Sequence, residues 1–290
     1  ISGIEGLKPT LNSIKFTKKI AIANKESIIC GWNIIKEELK KNKTEFIPVD
    51  SEHFSIWYAC KNNFKSTSIE KIYITASGGP FNNLPLKKFK DIKVSQALKH
   101  PNWKMGKKIS IDSATMINKI FEIIEAKKIF NIFYNDLKIL VHPHSYVHSI
   151  IKSSDGMIKI IAHDTSMKIP IFNSIYSNEN KIIKTNKLSI NKLNNLQFNT
   201  VNEKKFPLVK LISKFPKYDS LYETVLVSAN DELVRKFLEN KIKFTDISSN
   251  LLKILNSREF IKYKKIKPNN IYSILELSKY VRLKINSTYI

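Results

Sequence analysis

Two carboxylates at the end of an apolar strand are the first residues that could do chemistry. Asp50 and Glu52 are separated by one residue and follow the strand-like run Thr44–Val49. If the backbone stays extended, both side chains point to one face of the strand. Hard oxygen ligands at the carboxyl end of a strand suit Mg²⁺ or Mn²⁺. Two exposed turn carboxylates would have the same spacing, so the pair alone leaves both interpretations open.

A second polar group lies on a helix-like segment. Apolar periodicity predicts one helix over Asp112–Phe130. Asn118, Lys119 and Glu122 are three or four residues apart, so they share one side of that helix. Glu122 would add a third carboxylate to the metal site. Ser113, near the predicted helix start, either caps the helix or helps free amides hold a phosphate.

A long irregular segment separates the predicted strand Lys71–Thr75 from this helix. Residues 77–107, which we call the flap, carry adjacent glycines in Ser77–Pro80. Such glycines let backbone amides approach an anion, although a simple turn explains them equally well. His100 and Trp103 stand near the end of the flap. A long loop of this kind is typical of a lid that excludes water from a ligand.

Three histidines support a rival hypothesis. His142, His144 and His148 are evenly spaced and could bind Zn²⁺ with an open fourth position, as in a hydrolase. Pro143 interrupts regular strand geometry, and no zinc-protease motif accompanies the histidines.

Composition narrows the class of protein. The 290 residues carry a formal charge of +24 with a pI of about 9.8, which favours an anionic substrate. Of the 49 basic residues 46 are lysine, whereas nucleic-acid sites favour the arginine fork, so we expect no nucleic-acid partner. No apolar run approaches the ~20 residues of a membrane span, and we expect no membrane partner. Two cysteines, Cys30 and Cys60, indicate a reducing compartment and no disulfide framework.

The predicted elements fall into three regions. Strand Lys19–Ala23, helix Glu26–Lys40 and strand Thr44–Val49 form a β-α-β unit, which is typical of the tail of a parallel sheet. We expect the head of that sheet to precede residue 1. Further strands are predicted at Leu137–Val141 and Tyr146–Lys152, so the middle of the chain is α+β.

The C-terminal region is predicted to be a helical bundle. Helical periodicity marks four segments, with Asp246 and Asn270 as N-caps of the last two: Leu208–Phe215, Tyr222–Glu239, Asp246–Asn256 and Ile271–Lys284. The Asn- and Lys-rich stretch 173–205 is predicted to be a linker over the surface.

Several motifs occur together and in one order: Ala23–Ser27, Pro48–His53, Ser77–Phe81, His100–Gly106, Asp112–Lys119 and Ser228–Glu232. Together they resemble the 1-deoxy-D-xylulose 5-phosphate reductoisomerase family, the NADPH-dependent enzymes of the non-mevalonate isoprenoid pathway. The resemblance covers essentially the whole chain. Several independent motifs in the family's order are more specific than any single one.

The resemblance implies a role for each matched position. The metal ligands, for Mn²⁺ or Mg²⁺, would be Asp50, Glu52 and Glu122. The catalytic residues would be Lys25, Glu52, His100 and His148. The substrate would be held by Lys25, Ser51, Glu52, Ser77, His100, Trp103, Ser113, Asn118, Lys119 and Glu122, with Ser77, Ser113, Asn118 and Lys119 around its phosphate. NADPH would contact Asn24, Glu26 and Gly106.

The implied reaction converts 1-deoxy-D-xylulose 5-phosphate to 2-C-methyl-D-erythritol 4-phosphate by metal-assisted rearrangement and hydride reduction. The implied fold, α/β and α+β, comprises the C-terminal remnant of a Rossmann-like NADPH domain (1–49), a catalytic domain (50–172), the linker 173–205 and the bundle 206–290. The family also implies a homodimer, in the cytoplasm of a bacterium or a plastid-type organelle of a eukaryote.

Some positions depart from the family pattern. No G-x-G-x-x-G follows a strand, so we expect weak NADPH binding, and whether the chain alone is active stays open. Ile120 stands where a glycine is usual, which predicts a repacked helix face. His144 replaces a common glutamine, and Thr165–Met167 replaces the more usual P-D-M. The zinc hydrolase and a basic nucleic-acid-binding module remain the alternatives.

Overall fold

The computed structural model describes residues 1–60, 69–177 and 179–288. A β-α-β unit opens the fold, as predicted: β1 (Lys19–Ile22), α2 (Lys25–Asn42) and β2 (Glu45–Pro48) follow the short helix α1 (Leu7–Ile14). The two strands are parallel, with Ile20 opposite Phe46. Asn24 caps α2 by accepting a hydrogen bond from the Ser27 amide at 2.7 Å.

The chain after β2 turns into a helix and does not stay extended. Helix α3 (Ser51–Cys60) begins directly after Asp50, so Glu52 lies in its first turn. The Asp50 carbonyl accepts the Phe54 amide at 2.7 Å, and Asp50 Oδ1 lies 3.3 Å from the Glu52 amide. The expected same-face strand geometry of the two carboxylates is therefore wrong, because Asp50 satisfies amides at a helix start.

The central sheet has five strands within the described residues, in the order β6-β5-β3-β4-β7. Their bounds are β3 (Ile69–Ala76), β4 (Leu137–Val141), β5 (Val147–Ser153), β6 (Ile158–Ala162) and β7 (Asn199–Thr200). β3 runs parallel to β4, and the other neighbours pair antiparallel. The carboxyl ends of β3 and β4 therefore share one edge of the sheet, next to the flap.

Much of the flap is anchored in the core. It contains a 3₁₀ helix (Leu86–Asp91) and the one-turn helix α4 (Val94–Ala97). Phe81 and Phe89 are buried, and both rings contact Phe244. The irregular loop expected over this whole length is thus limited to its ends, because large apolar side chains hold the middle in place.

The predicted long helix is broken in two. Helix α5 (Lys107–Ala114) ends before Met116, which has a left-handed φ of 64°, and α6 (Ile117–Phe130) starts a new axis. The Thr115 hydroxyl donates to the Ile111 carbonyl at 3.0 Å, which closes the last turn of α5. Ser113 therefore lies at the end of α5, and the expectation that it sits near a helix start is wrong.

The stretch 173–205 does more than connect. It includes the end of α7 (Lys168–Ile175), the short helix α8 (Ile190–Asn194) and strand β7, which pairs with β4. This backbone pairing fastens the predicted linker to the edge of the central sheet.

The C-terminal region is helical. Its helices are α9 (Tyr222–Leu238), α10 (Phe244–Asn256), α11 (Arg258–Ile261) and α12 (Ile271–Thr288). α9 packs against α10 and α12, and it also contacts α2 and α5, so the bundle supports the site from behind. No helix in the described ranges is long and apolar enough to cross a membrane.

Two details of the bundle differ from expectation. The segment predicted as its first α-helix is a 3₁₀ helix, Pro207–Lys214. Asp246 is not the N-cap of α10, because it lies in the first turn and accepts the Lys243 amide at 2.9 Å. Asn270 does cap α12, since it accepts the Ser273 amide at 2.9 Å.

Candidate active site

One cavity gathers the predicted metal, catalytic and substrate-binding residues. Its volume is about 230 Å³, and it opens between the flap, α2, α3 and α6. The predicted residues that line it are Lys25, Asp50, Ser51, Glu52, Ser77, His100, Trp103, Ser113, Asn118, Lys119, Glu122 and His148. The three predicted cofactor contacts do not line it. Residues separated by more than a hundred positions thus meet at one place.

Three carboxylates and two lysines form the floor. Lys25 Nζ lies 2.9 Å from Asp50 Oδ2 and 3.4 Å from Glu122 Oε1. Lys119 Nζ lies 2.5 Å from Glu122 Oε2 and also contacts Glu52. Four of the five side chains come from helix starts, which brings short and long side chains within reach of one point.

Burial and charge compete at this floor. Burial lowers the pKa of Lys25, but the Asp50 and Glu122 carboxylates outweigh it and hold that pKa well above its ordinary value. Burial raises the pKa of Asp50, but the charge of Lys25 dominates and holds it well below its usual range. Burial and the neighbouring Glu52 raise the pKa of Glu122 to about 8, against the lysine charges. The three carboxyl groups therefore outnumber the two ammonium groups at the floor.

The donor set fits a hard divalent cation. One carboxylate oxygen from each of Asp50, Glu52 and Glu122 lies within 4.8 Å of the others. Only oxygen ligands are offered, which is the chemistry that Mg²⁺ and Mn²⁺ prefer. A cation bound there would add the positive charge that the two lysines alone do not provide to balance the three carboxylates.

The flap end of the cavity suits a phosphate. The Ser77 hydroxyl accepts the Gly79 amide at 3.0 Å and lies 2.9 Å from His100 Nε2. His100 Nδ1 accepts the Trp103 amide at 2.9 Å, so Nε2 carries the hydrogen and donates to Ser77. Burial and the charge of Lys119 lower the pKa of His100 to about 4. The serine hydroxyl proton is left for an acceptor in the cavity.

Close backbone packing places Ser113 at this end. Gly78 and Gly79 have φ of 83° and 64°. A Cβ on Gly79 would lie 3.0 Å from the Ser113 carbonyl oxygen and 3.2 Å from Ala114 Cα. The flap can approach the end of α5 this closely only without a side chain.

The flap closes over His148. The Trp103 ring meets the His148 ring edge to face, with centroids 6.1 Å apart. Asn102 Nδ2 donates to the Pro143 carbonyl at 2.6 Å and to Ser145 Oγ at 2.8 Å. These two bonds fasten the flap to the turn that precedes β5.

A neighbouring histidine sets the state of His148. The His148 ring stacks on His163 with centroids 3.7 Å apart. Burial, reinforced by His163, holds the pKa of His148 well below its ordinary value. His148 is therefore a neutral imidazole at pH 7.

The predicted cofactor residues lie beside the cavity. The Asn24 amide donates to the Gly3 carbonyl at 2.9 Å. Glu26 is buried against Lys108, whose Nζ lies 2.7 Å from Glu26 Oε1, 2.9 Å from Asp112 Oδ2 and 3.1 Å from Asp231 Oδ1. Gly106 is exposed, and no atom lies within 4 Å of where its Cβ would be. An open glycine beside hydrogen-bonding side chains fits the approach of a polar cofactor.

The rival zinc site is wrong. Within the described ranges, no metal-ligating group contains the three histidines together. His142 is buried and its ring stacks on Phe198, His144 is exposed, and His148 faces the cavity. The His142 and His144 rings do meet, with centroids 5.9 Å apart, but the turn at Ser145, which has φ of 51°, lies between that pair and His148 in the chain.

Sequence reasoning missed several groups beneath the cavity. Buried His53 lies against Glu125, and although His53 closes the Pro48–His53 motif, the pattern suggested no role for either residue. Lys108 and Asn102 were also missed. The available signal for the His53–Glu125 contact was Glu125 itself, a second carboxylate three residues after Glu122 and on the same helix face.

The fold and the site define a class: a protein with a carboxylate-lined cavity under a flap, attached to a parallel β-α-β unit. Two models of the 1-deoxy-D-xylulose 5-phosphate reductoisomerase C-terminal domain match residues 46–130 and 164–284, and a third model, of that reductoisomerase, matches residues 1–31. The chain belongs to this family, which confirms the resemblance seen in the motifs.

Individual relatives agree. The 1-deoxy-D-xylulose 5-phosphate reductoisomerase of Pelagibacter ubique is 62% identical over 99% of this chain and 74% of its own length. That of Sulfurihydrogenibium is 38% identical over 100% of this chain and 75% of its own length. A crystal structure of the enzyme with NADPH, fosmidomycin and magnesium superposes with a TM-score of 0.89 at 31% identity, covering 99% of this chain and 74% of that one. The Zymomonas mobilis enzyme with NADPH gives 0.87 at 32% identity, covering 98% and 72%.

Proposed function

We propose that this chain carries the catalytic site of an NADPH- and divalent-metal-dependent reductoisomerase that converts 1-deoxy-D-xylulose 5-phosphate to 2-C-methyl-D-erythritol 4-phosphate. The observation that carries the proposal is the convergence of Asp50, Glu52 and Glu122 to within 4.8 Å in the cavity that Ser77 and Ser113 also line. A hydroxy-ketone with a terminal phosphate needs both ends of such a cavity.

The carboxylates would hold Mg²⁺ or Mn²⁺, which when bound supplies Lewis acidity and a template for adjacent oxygens. Asn24, Glu26 and Gly106 would contact NADPH, which supplies the hydride. These residues would position the metal ion and NADPH. Other side chains around the cavity would bind and orient the substrate.

Those side chains bind, orient and exclude water. The Ser77 hydroxyl donates a hydrogen bond to a phosphate oxygen, and Lys119 adds positive charge beside that phosphate. Lys25 stays protonated because its carboxylate partners hold it charged, and its ammonium can donate a hydrogen bond to a substrate oxygen. Neutral His148 donates from Nε2 to the His163 carbonyl at 3.2 Å, so its Nδ1 can accept a hydrogen bond from the substrate. Trp103 covers the cavity and excludes water.

Calorimetry tests this proposal directly. We expect 1-deoxy-D-xylulose 5-phosphate to bind this chain in the presence of Mn²⁺ and to lose that metal dependence in Glu122→Gln. A matched control is Glu70→Gln, since Glu70 pairs with Lys152 at the protein surface. Equal binding with and without Mn²⁺ by the unaltered chain would contradict the proposed site.

The bacterial relatives support a cytoplasmic location for the protein. The proposed assembly is a homodimer formed at β6. Among the described residues, β6 is an edge strand of the central sheet, and Ile158 and Ile160 on it are 58% and 49% exposed. An edge strand offers unpaired backbone groups to a second copy. Sedimentation should show a dimer that Ile160→Lys converts to a monomer, whereas a monomeric unaltered chain would contradict this proposal.

A further inference from the structure

A second group of metal-ligating atoms lies beneath the carboxylate floor. His53 Nδ1 lies 3.4 Å from Asp50 Oδ1 and 3.3 Å from Glu125 Oε2. The ligating atoms of the three residues lie within 4.8 Å of one another. His53 is fully buried and Glu125 is 1% exposed. The group mixes one imidazole with two carboxylates, unlike the floor itself.

The orientation of His53 is fixed by its other nitrogen. Nε2 lies 2.8 Å from the backbone carbonyl oxygen of Glu122. A carbonyl only accepts, so Nε2 carries the hydrogen and the Nδ1 lone pair faces the two carboxylates. A metal-binding histidine is usually oriented in this way, by a carbonyl or carboxylate behind it.

Two atoms of the group lack hydrogen bonds. His53 Nδ1 and Glu125 Oε2 are buried, and neither has a hydrogen-bond partner within the described part of the chain. They face each other at 3.3 Å, which is longer than the roughly 2.7 to 2.9 Å of a charge-assisted hydrogen bond, so the pair is loose enough for an ion to bridge it.

We propose that His53, Asp50 and Glu125 form a second metal site, which binds Zn²⁺. Ligands about 2.1 Å from a common ion at tetrahedral angles lie about 3.4 Å apart, which matches the two contacts of Nδ1. An imidazole nitrogen selects Zn²⁺ over Mg²⁺, whereas the all-oxygen floor favours Mg²⁺.

Asp50 joins the two sites through different oxygens. Its Oδ1 faces His53, and its Oδ2 faces Lys25 and the cavity. Without a metal, a proton on Nδ1 would fill this space, and the ring would then carry two protons, one on each nitrogen. Zn²⁺ would displace that proton, because a ligating imidazole must be neutral.

Equilibrium dialysis of the whole chain tests the site without any substrate or turnover. The chain is first freed of metal with a chelator and then dialysed against Zn²⁺ in excess Mg²⁺. We expect His53→Gln to bind one Zn²⁺ fewer per chain than the unaltered protein, and Glu125→Gln to behave alike. His142→Gln, which removes a buried histidine elsewhere, is the matched control and should keep full Zn²⁺ binding. Equal Zn²⁺ content in the unaltered protein and in folded His53→Gln would overturn the proposal.

X-ray absorption at the zinc edge tests the same site in the unaltered protein, so that a variant that fails to fold does not decide the outcome. A bound imidazole adds outer-shell scattering from its ring carbons. We expect one imidazole per site-bound Zn²⁺ with oxygen as the other ligands. A spectrum of Zn²⁺ with oxygen ligands alone would overturn the proposal.

Discussion

The ammonium of Lys25 lies 2.9 Å from Oδ2 of Asp50, and this ion pair joins the first turn of α2 to the residue before α3. Both side chains are largely buried, with 9% and 14% exposure. The pair links the β-α-β unit to the metal floor. A cation bound at Asp50 must therefore share its oxygens with Lys25, which sets the charge balance of the site.

Metal affinity should depend on pH through Glu122. Its raised pKa, about 8, means that a proton competes with the metal below that pH. We expect Mg²⁺ affinity to rise about tenfold per pH unit up to pH 8 and then to level off. Calorimetry in buffers of different ionisation enthalpy should also detect one proton released near pH 7. An affinity that does not change between pH 6 and 8 would contradict this prediction.

Gly79→Ala should weaken phosphate binding. Its Cβ would meet the Ser113 carbonyl at 3.0 Å, and its φ of 64° disfavours a side chain. The strain alone costs about 1 kcal/mol or more, and Ser113 must shift to relieve the contact. Titration with the substrate should show at least about tenfold weaker binding. Gly156→Ala is the matched control, since its φ is 88° and its Cβ meets nothing within 4 Å. Equal losses in both variants would mean that backbone strain, not the contact, is responsible.

Lys108→Met should destabilise the chain strongly. Removing the ammonium leaves Glu26, Asp112 and Asp231 buried together without it, and an unpaired buried charge costs about 3 to 5 kcal/mol. Chemical denaturation at pH 7 measures the loss. The neighbouring Lys107 is exposed, so Lys107→Met should change the unfolding free energy by less than about 0.5 kcal/mol.

The same variant should respond to acid in a defined direction. Burial raises the pKa of Asp231 to about 6, although Lys108 opposes the shift. A raised carboxyl pKa favours the folded state when the group is protonated, so this contribution is lost as pH rises through 6. Without Lys108 that pKa should rise further. The stability lost in Lys108→Met should therefore be smaller at pH 5 than at pH 8, and a loss that does not depend on pH would contradict this interpretation.

Asn102→Leu should loosen the flap. The substitution removes two hydrogen bonds, to the Pro143 carbonyl and to Ser145, each worth about 0.5 to 1.5 kcal/mol. We expect KM to rise about tenfold with a smaller change in kcat, because the closed flap helps to retain the substrate. Steady-state kinetics measures both kinetic parameters. An unchanged KM would show that these bonds do not hold it.

The sequence could predict which residues meet but not all of the geometry that brings them together. Apolar periodicity and motif order were enough for β1, α2, β2 and for the twelve cavity residues. The position of Asp50 was misjudged because a helix start and a strand end look alike when the next residues, Ser51 and Glu52, suit either.

The break at Met116 could not be predicted for a related reason. Nothing in the alternation of Ile and Asn around it disfavours a continuous helix, and a non-glycine residue takes a left-handed φ only when the surroundings impose it. Likewise, His53 and Glu125 are 72 positions apart, so their contact follows from how α3 packs on α6. Pairings at that separation depend on tertiary packing, which local pattern does not encode.

The paired lysines divide the chain's positive charge into two populations. Lys25, Lys119 and Lys128 each lie against acidic partners away from solvent, whereas most of the other lysines are solvated. Evolutionary drift in lysine content can therefore proceed on the outside without disturbing the chemistry within. Exposed lysines could be replaced by glutamates to lower the isoelectric point. Acetylation of the accessible amines, followed by mass spectrometry, would identify which lysines are exposed enough to be replaced.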